Sequence, residues 1–390
     1  MATNILHERI ALSLSFLILN NYLFLSLGFP QILVKINFLI FLLLFLFFYF
    51  KNFLNNPYLK ISFFCLILIS LGNTIGDGQY PSAGWDPRTI WFFHAKRIFL
   101  DQSVFSISDN YAIFSHNEYP NLAPAFASSL ALIVGHWNEV FPKISFLFMF
   151  LPPLIIVFSF FKNTNYIIFL SIVFFTIGNY LFNGWADGLV AIYFGVSAAL
   201  MYVLFFTESN LYRNKLFYYL ISFCFFITLT LIKNEGVVLL FILFFITLLL
   251  KVYNGETNKY FLKLLLLSFS FLPIILWKYF CYTKGVNSGE IQIINTGILS
   301  NLIPRLDDLQ NYKLIAYFIL LNEKFLITLS LFLLSCWFKP NKNIFNFVTL
   351  ITITYISILF VVYLSTPLDF HFQLDLSRKV FASINPKLRL

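Results

Sequence analysis

Charge is what this sequence has least of. Asp, Glu, Lys and Arg make up 11% of its 390 residues, against roughly 25% in soluble domains. With a mean hydropathy of +0.82, such a chain cannot cover a water-facing surface, which excludes an ordinary soluble enzyme or binding module. Acidic groups are scarcer than basic ones, 17 against 26. The resulting charge of +9 is spread between apolar runs and forms no basic face, so nucleic acid is not an expected partner. Cysteine is also sparse. Cys65, Cys224, Cys281 and Cys336 all fall inside apolar runs without CxxC spacing, which leaves neither a disulfide framework nor a zinc site. The apolar stretch after Arg9 lacks a small-residue cleavage site and reads as a first span, not a removed signal peptide. Repeats and low-complexity tracts are missing too, so the sequence reads as one transmembrane domain over 1–390.

What is present is apolar sequence in lengths that suit a bilayer. A helix crossing about 30 Å of hydrocarbon needs about 20 apolar residues. Suitable runs lie at 10–28, 32–50, 59–75, 144–161, 166–182, 189–206, 216–232, 237–252, 261–282, 325–338 and 344–364. The expected fold is therefore an all-α polytopic membrane protein of about eleven transmembrane helices. Between the third and fourth runs comes a polar stretch, 76–143, expected to form a large outer loop; 283–322 is a second such loop.

Residues 122–137 are apolar but short, with Pro124 near the start and Glu118 and Glu139 on the flanks. Loop charge decides how to treat them. If they do not span and the N-terminus is cytoplasmic, the cytoplasmic loops hold Arg9, Lys51, Lys60, Lys162, Arg213, Lys215, Lys251, Lys259, Lys263, Lys339 and Lys342. Against these stand only Glu8, Glu208 and Glu256, as the positive-inside rule requires. The segment is thus expected to lie along the outer interface or to re-enter it. The same choice places 76–143, 183–188, 233–236, 283–322 and the C-terminal tail on one face. High Phe, Ile, Asn and Lys usage points to an AT-rich genome and a bacterial inner membrane.

The chemistry-bearing residues are concentrated on that face. Asp86-Pro87 followed by RTIWFFHAKRIFL reads as an N-cap, a proline at the first helical position and an amphipathic helix. Trp91, Phe92, Ile98 and Phe99 are expected in the acyl boundary, with Arg88, Lys96 and Arg97 reaching headgroups, as in an interface-parallel helix. Asp86 has two readings: a cap, or a general base for an acceptor hydroxyl or amine beside a bound phosphate. His116-Asn117-Glu118-Tyr119-Pro120 is either a hydrogen-bonded turn or a pair of side chains that orient a sugar or help hold a divalent cation; two ligands alone do not make a metal site. Asp187 is a helix cap or a second acidic group of the same site. Lys233-Asn234-Glu235-Gly236 sets charges between two apolar runs, where they face a cavity or snorkel to the interface. Pro304 to Asp308 opens a second surface helix carrying Arg305, and Asp369, His371, Arg378 and Lys379 in the tail are candidates of lower rank.

Taken in order, Trp85-Asp86, Trp91 to Ala95-Lys96, His116 to Pro120, Ala186-Asp187 and Lys233 to Gly236 resemble the GT-C superfamily of integral membrane glycosyltransferases. That superfamily includes the protein O-mannosyltransferases and the lipid A aminoarabinose transferases, and these motifs cover about half the chain. The resemblance implies sugar transfer from a polyprenyl phosphate-linked donor to a lipid, glycan or protein acceptor at the outer membrane face, with Asp86 as general base. It also implies that Lys96, Arg97 or Lys233 neutralises the donor phosphate, and that Glu118 and Asp187 bind sugar, acceptor or a cation. Arg88, His116, Tyr119 and Glu235 complete the expected binding set. Two spans precede the one before the loop and no acidic pair adjoins Asp86, so metal dependence and acceptor class stay open. A flippase or transporter of lipid-linked sugars and a surface-polysaccharide polymerase or ligase are the alternatives. Transporters often carry paired discontinuous helices, which are not evident here, and polymerases place their main polar loop later in the chain.

Overall fold

A computed structural model describes residues 2–44, 46, 85–105, 115–138, 140–160, 184–207, 215–286, 298–320, 325–326, 329–330 and 342–365. All regular structure among them is helical. Among the described residues, five helices are long and apolar enough to cross a membrane: Glu8–Ser26, Ala186–Phe206, Asn234–Tyr253, Tyr260–Thr283 and Lys342–Ser365. Shorter apolar helices occupy Gln31–Leu44, Leu122–Val134, Pro142–Val157 and Leu216–Ile232. The expected spans at 59–75 and 166–182, and most of 325–338, lie outside the described residues, as do Asp369, His371, Arg378 and Lys379.

The chain packs as two compact units, Met1–Asn287 and Ser288–Leu390. In the first, α1 (Ala2–Ser26) and α2 (Gln31–Leu44) are joined by a turn at positive-φ Gly28. Asn37 Nδ2 donates to Asn21 Oδ1 at 2.6 Å and to the Leu17 carbonyl at 3.2 Å, tying the two helices with polar groups where apolar packing gives no driving force in lipid. A π turn, Pro87–Trp91, leads into α3 (Phe92–Asp101); α4 (Leu122–Val134) and α5 (Val140–Phe160) follow. Then come α6 (Ala186–Phe206), α7 (Lys215–Ile232) and α8 (Asn234–Tyr253). Helix α9 (Thr257–Ser268) passes through a tight 3-10 turn into α10 (Leu272–Thr283). The second unit holds α11 (Ile298–Leu306), α12 (Leu309–Leu320) and α13 (Lys342–Ser365), where Arg305 Nη1 donates to the Leu364 carbonyl at 3.2 Å. Arg305 thus serves the C-terminal end of α13.

Helix α5 shows how the bundle absorbs a helix breaker. Pro153 has no N–H to give to the carbonyl of Met149 one turn back. Tyr193 of α6 donates its hydroxyl to that carbonyl at 2.9 Å. A neighbouring helix therefore satisfies the freed acceptor, as backbone away from water requires.

Packing bears on two sequence expectations. Residues 122–132 are buried without interruption, and α4 packs against α1, α2, α3 and α5. Residues 122–132 therefore meet protein on all sides, whereas 133–136 are exposed. Thirteen residues reach only about 20 Å, short of the hydrocarbon thickness. Alternating Ala123, Ala125, Ala127 and Ala131 let neighbours approach closely, which is why this stretch can be enclosed. The second concerns α3 and is corrected. Trp91, Phe92 and Ile98 are buried by protein, with Phe92 edge-on to Phe146 of α5 at 5.8 Å. Its apolar face covers α4 and does not float in the acyl boundary, while Arg88, Lys96 and Leu100 on the opposite side are exposed.

Candidate functional site

Two glycines bring the site together. Gly184 has φ +80, and a Cβ there would stand 2.5 Å from Cζ of Phe92 and 3.4 Å from Cβ of Pro87. The start of α6, with Asp187 in its first turn, is thereby seated against the Asp86–Phe92 segment. A Cβ on Gly236 would lie 1.9 Å from the Leu229 carbonyl oxygen. Without one, α7 turns into α8 through a single extended residue, Lys233 (φ −157, ψ 154), and Gly236 N–H donates to the Lys233 carbonyl at 2.9 Å.

Lys233 sits between two helix N-termini, each with an acid in its first turn, where the helix dipole favours negative charge. Its Nζ is 2.9 Å from Asp187 Oδ1 and 3.0 Å from Glu235 Oε1, and stands 5.8 Å from the centre of the Tyr119 ring. Burial opposes the charge on Lys233, but Glu235 and Asp187 outweigh it and hold the ammonium well above its usual proton affinity. Lys233 is therefore a fixed cation, and two carboxylates already engage it.

Asp86 is not a cap. Its backbone is helical (φ −55, ψ −46) and its side chain makes no capping hydrogen bond, because the chain is already coiling when it enters the π turn. Burial raises the proton affinity of the Asp86 carboxyl, and Asp187 and Glu235 add to the rise, while Lys233 and His116 oppose it. Asp86 accordingly lies within electrostatic reach of all four. A half-buried carboxylate whose acid strength is lowered in this way is suited to accept a proton.

The 115–121 turn forms the other wall. His116 has φ +47, rare outside glycine, and its ring stacks on Tyr119 at 4.4 Å. Tyr119 in turn stacks on Trp91 at 5.9 Å. Glu118 is 2% exposed; its Oε1 is 3.6 Å from His116 Nδ1, and neither carboxylate oxygen accepts a hydrogen bond among the described residues. The backbone carbonyl of Glu118 accepts from Trp277 Nε1 at 3.0 Å and Lys278 Nζ at 3.3 Å. Behind the turn, His94 Nε2 donates to the Ser115 carbonyl at 2.9 Å. Burial lowers the proton affinity of His94, so this ring is a neutral brace.

The fold thus gathers Asp86, His116, Glu118, Tyr119, Asp187, Lys233 and Glu235. Arg97 is drawn away to Asp101 on its own helix, 2.9 Å distant, and Arg88 and Lys96 are exposed. Among the described residues no three His, Cys, Asp or Glu side chains are placed to hold a metal ion together, so His116 and Glu118 gain no third ligand there. Trp277 and Lys278 were missed because 261–282 reads as a span. The available signal was a cation inside an apolar run, which is costly unless it has a partner. No protein-family model, no curated protein and no solved structure matches the chain.

Proposed function

We propose that this membrane protein is a glycosyltransferase that moves a sugar from a polyprenyl phosphate-linked donor to an acceptor at the outer face of a bacterial inner membrane. The observation that carries the reading is Asp86: a carboxylate of raised proton affinity, free of capping duty, beside an aromatic stack and a carboxylate-flanked lysine. His116, part-exposed and backed by the buried Tyr119 ring, offers a flat face to a sugar ring. Asp187 and Glu235 are about half exposed beside Lys233 and can accept hydrogen bonds from sugar hydroxyls.

In the proposed step Asp86 takes the proton of the acceptor hydroxyl or amine as the acceptor atom bonds to the anomeric carbon. The bond from that carbon to the donor phosphate oxygen breaks, its electron pair leaves with the phosphate, and the anomeric centre inverts. Lys233 limits the build-up of negative charge among Asp86, Asp187 and Glu235 and so favours the ionised form of Asp86. The test is turnover of labelled polyprenyl phosphate sugar by purified protein in detergent, where a flippase has no vectorial work to do. Asp86→Asn is expected to lose transfer while expressing normally. Undiminished turnover in that variant would remove Asp86 from the reaction.

A further inference from the structure

A phosphate leaving group needs a cation that is not already matched, and Lys233 is held by Asp187 and Glu235. Lys278 differs. It makes no ion pair among the described residues; its one hydrogen bond, at 3.3 Å, goes to the Glu118 carbonyl. An ammonium has three donors, and this contact uses one. The Glu118 carboxylate is turned towards His116 instead.

Position adds to the argument. Lys278 belongs to the candidate span Tyr260–Thr283, roughly 7–8 Å along the helix from its end at about 1.5 Å per residue. A lysine at that depth with nothing to bind would extend towards water, but this one reaches sideways to the 115–121 turn, the wall of the site. On α10 it lies at the seam between a buried stripe, Ile274, Trp277 and Cys281, and an exposed apolar stripe, Ile275, Tyr279 and Tyr282. A ligand meeting both would have an anionic head and a hydrocarbon body.

We infer that Lys278 is an anchoring residue for a lipid-borne phosphate, which reaches the site sideways from the bilayer along the exposed face of α10. This deepens the glycosyltransferase reading and rests on it for the identity of the lipid. Because Trp277 also donates to the Glu118 carbonyl, at 3.0 Å, the turn keeps a tether when Lys278 is replaced.

The experiment measures binding of labelled short-chain polyprenyl phosphate, without sugar, to protein in phosphatidylcholine nanodiscs. Saturable binding is expected for the wild type, weakened about tenfold or more in Lys278→Met, as for loss of a charge-assisted hydrogen bond. Lys278→Arg should retain it, and so should Lys284→Gln, which neutralises a nearby exposed lysine. Lys278→Gln keeps a donor to the Glu118 carbonyl and replaces the methionine variant if that one misfolds. Wild-type affinity in the neutral variants would overturn the role of Lys278 while leaving sugar transfer standing. Equal displacement by inorganic phosphate, or by phosphatidylglycerol in the discs, would overturn selection of a polyprenyl phosphate. No saturable binding by the wild type would overturn the inference together with the transfer reading.

Discussion

Lys233 and Asp187 are separated by 46 residues of sequence and meet at 2.9 Å, the lysine almost enclosed and the aspartate half exposed. With Glu235 on the other side of the same ammonium, one cation compensates two carboxylates, and Asp86 is a third acid nearby. Acid is in excess at the site, and that excess determines how it responds to mutation and to pH.

Asp86→Asn is expected to raise thermal stability at neutral pH while transfer is lost. Folding raises the proton affinity of Asp86 above its ordinary value of 3.8. Such a group stabilises the fold below that value and loses the contribution as pH rises through the folded-state value. At pH 7 the ionised carboxylate therefore costs stability, and the amide removes the cost. The gain over wild type should vanish below about pH 4, where the wild-type carboxyl is neutral as well. Unfolding temperatures across that range check it; lower stability of the variant at pH 7 would contradict the raised affinity.

Lys233→Met should do the opposite. It leaves Asp187 and Glu235 without the cation between them and Asp86 without its larger favourable charge, for a loss of about 1–2 kcal/mol given that both partners are about half exposed. Asp187→Asn should cost less, because Glu235 still holds the lysine. Adding Asp187→Asn to Lys233→Met should recover part of the loss, a coupling measurable in a double-mutant cycle.

Gly236→Ala tests the sharp turn between α7 and α8. The new methyl would meet the Leu229 carbonyl, a backbone atom that cannot swing aside. Destabilisation of about 3 kcal/mol or more is expected, with displacement of Lys233. An alanine variant with wild-type unfolding would show that the two helices are not in such close approach.

Tyr193→Phe should cost about 1–2 kcal/mol by leaving the Met149 carbonyl without its donor. In a Pro153→Ala background the restored backbone N–H can take over that carbonyl, so the same substitution should cost less. Equal losses in both backgrounds would mean that the tyrosine does not replace the missing helix bond.

Membrane orientation has its own check. An alkaline phosphatase fusion after Asp187 should be active and fusions after Lys215 or Lys259 inactive, following the loop charges. The reverse pattern would turn the site towards the cytoplasm.

The convergence of Asp86, Asp187 and Lys233 was legible from order and loop charge, because few charged residues interrupt the apolar runs and each has to go somewhere polar. What hydropathy could not show is whether an apolar face meets lipid or protein, since both solvate it equally well. That is why Trp91 and Phe92 were expected in the acyl boundary and 122–137 along the interface or re-entering it, while Trp91, Phe92 and residues 122–132 are enclosed by protein. Lys278 was hidden for a related reason: one cation does not lower the average of a long apolar run. The helical backbone of Asp86 was not legible either, because Asp-Pro signals a helix start whether or not the chain is already coiling before it.

The bond from Trp277 to the Glu118 carbonyl joins residues 159 positions apart. During synthesis, the acidic turn is made long before the helix that secures it. A nascent chain halted after α9 would already contain Asp86, Glu118, Asp187 and Lys233, yet its His116–Tyr119 wall would lack its late fastening. The tethers from Trp277 and Lys278 can therefore form only once α10 has been made, so this wall of the site is completed late in synthesis.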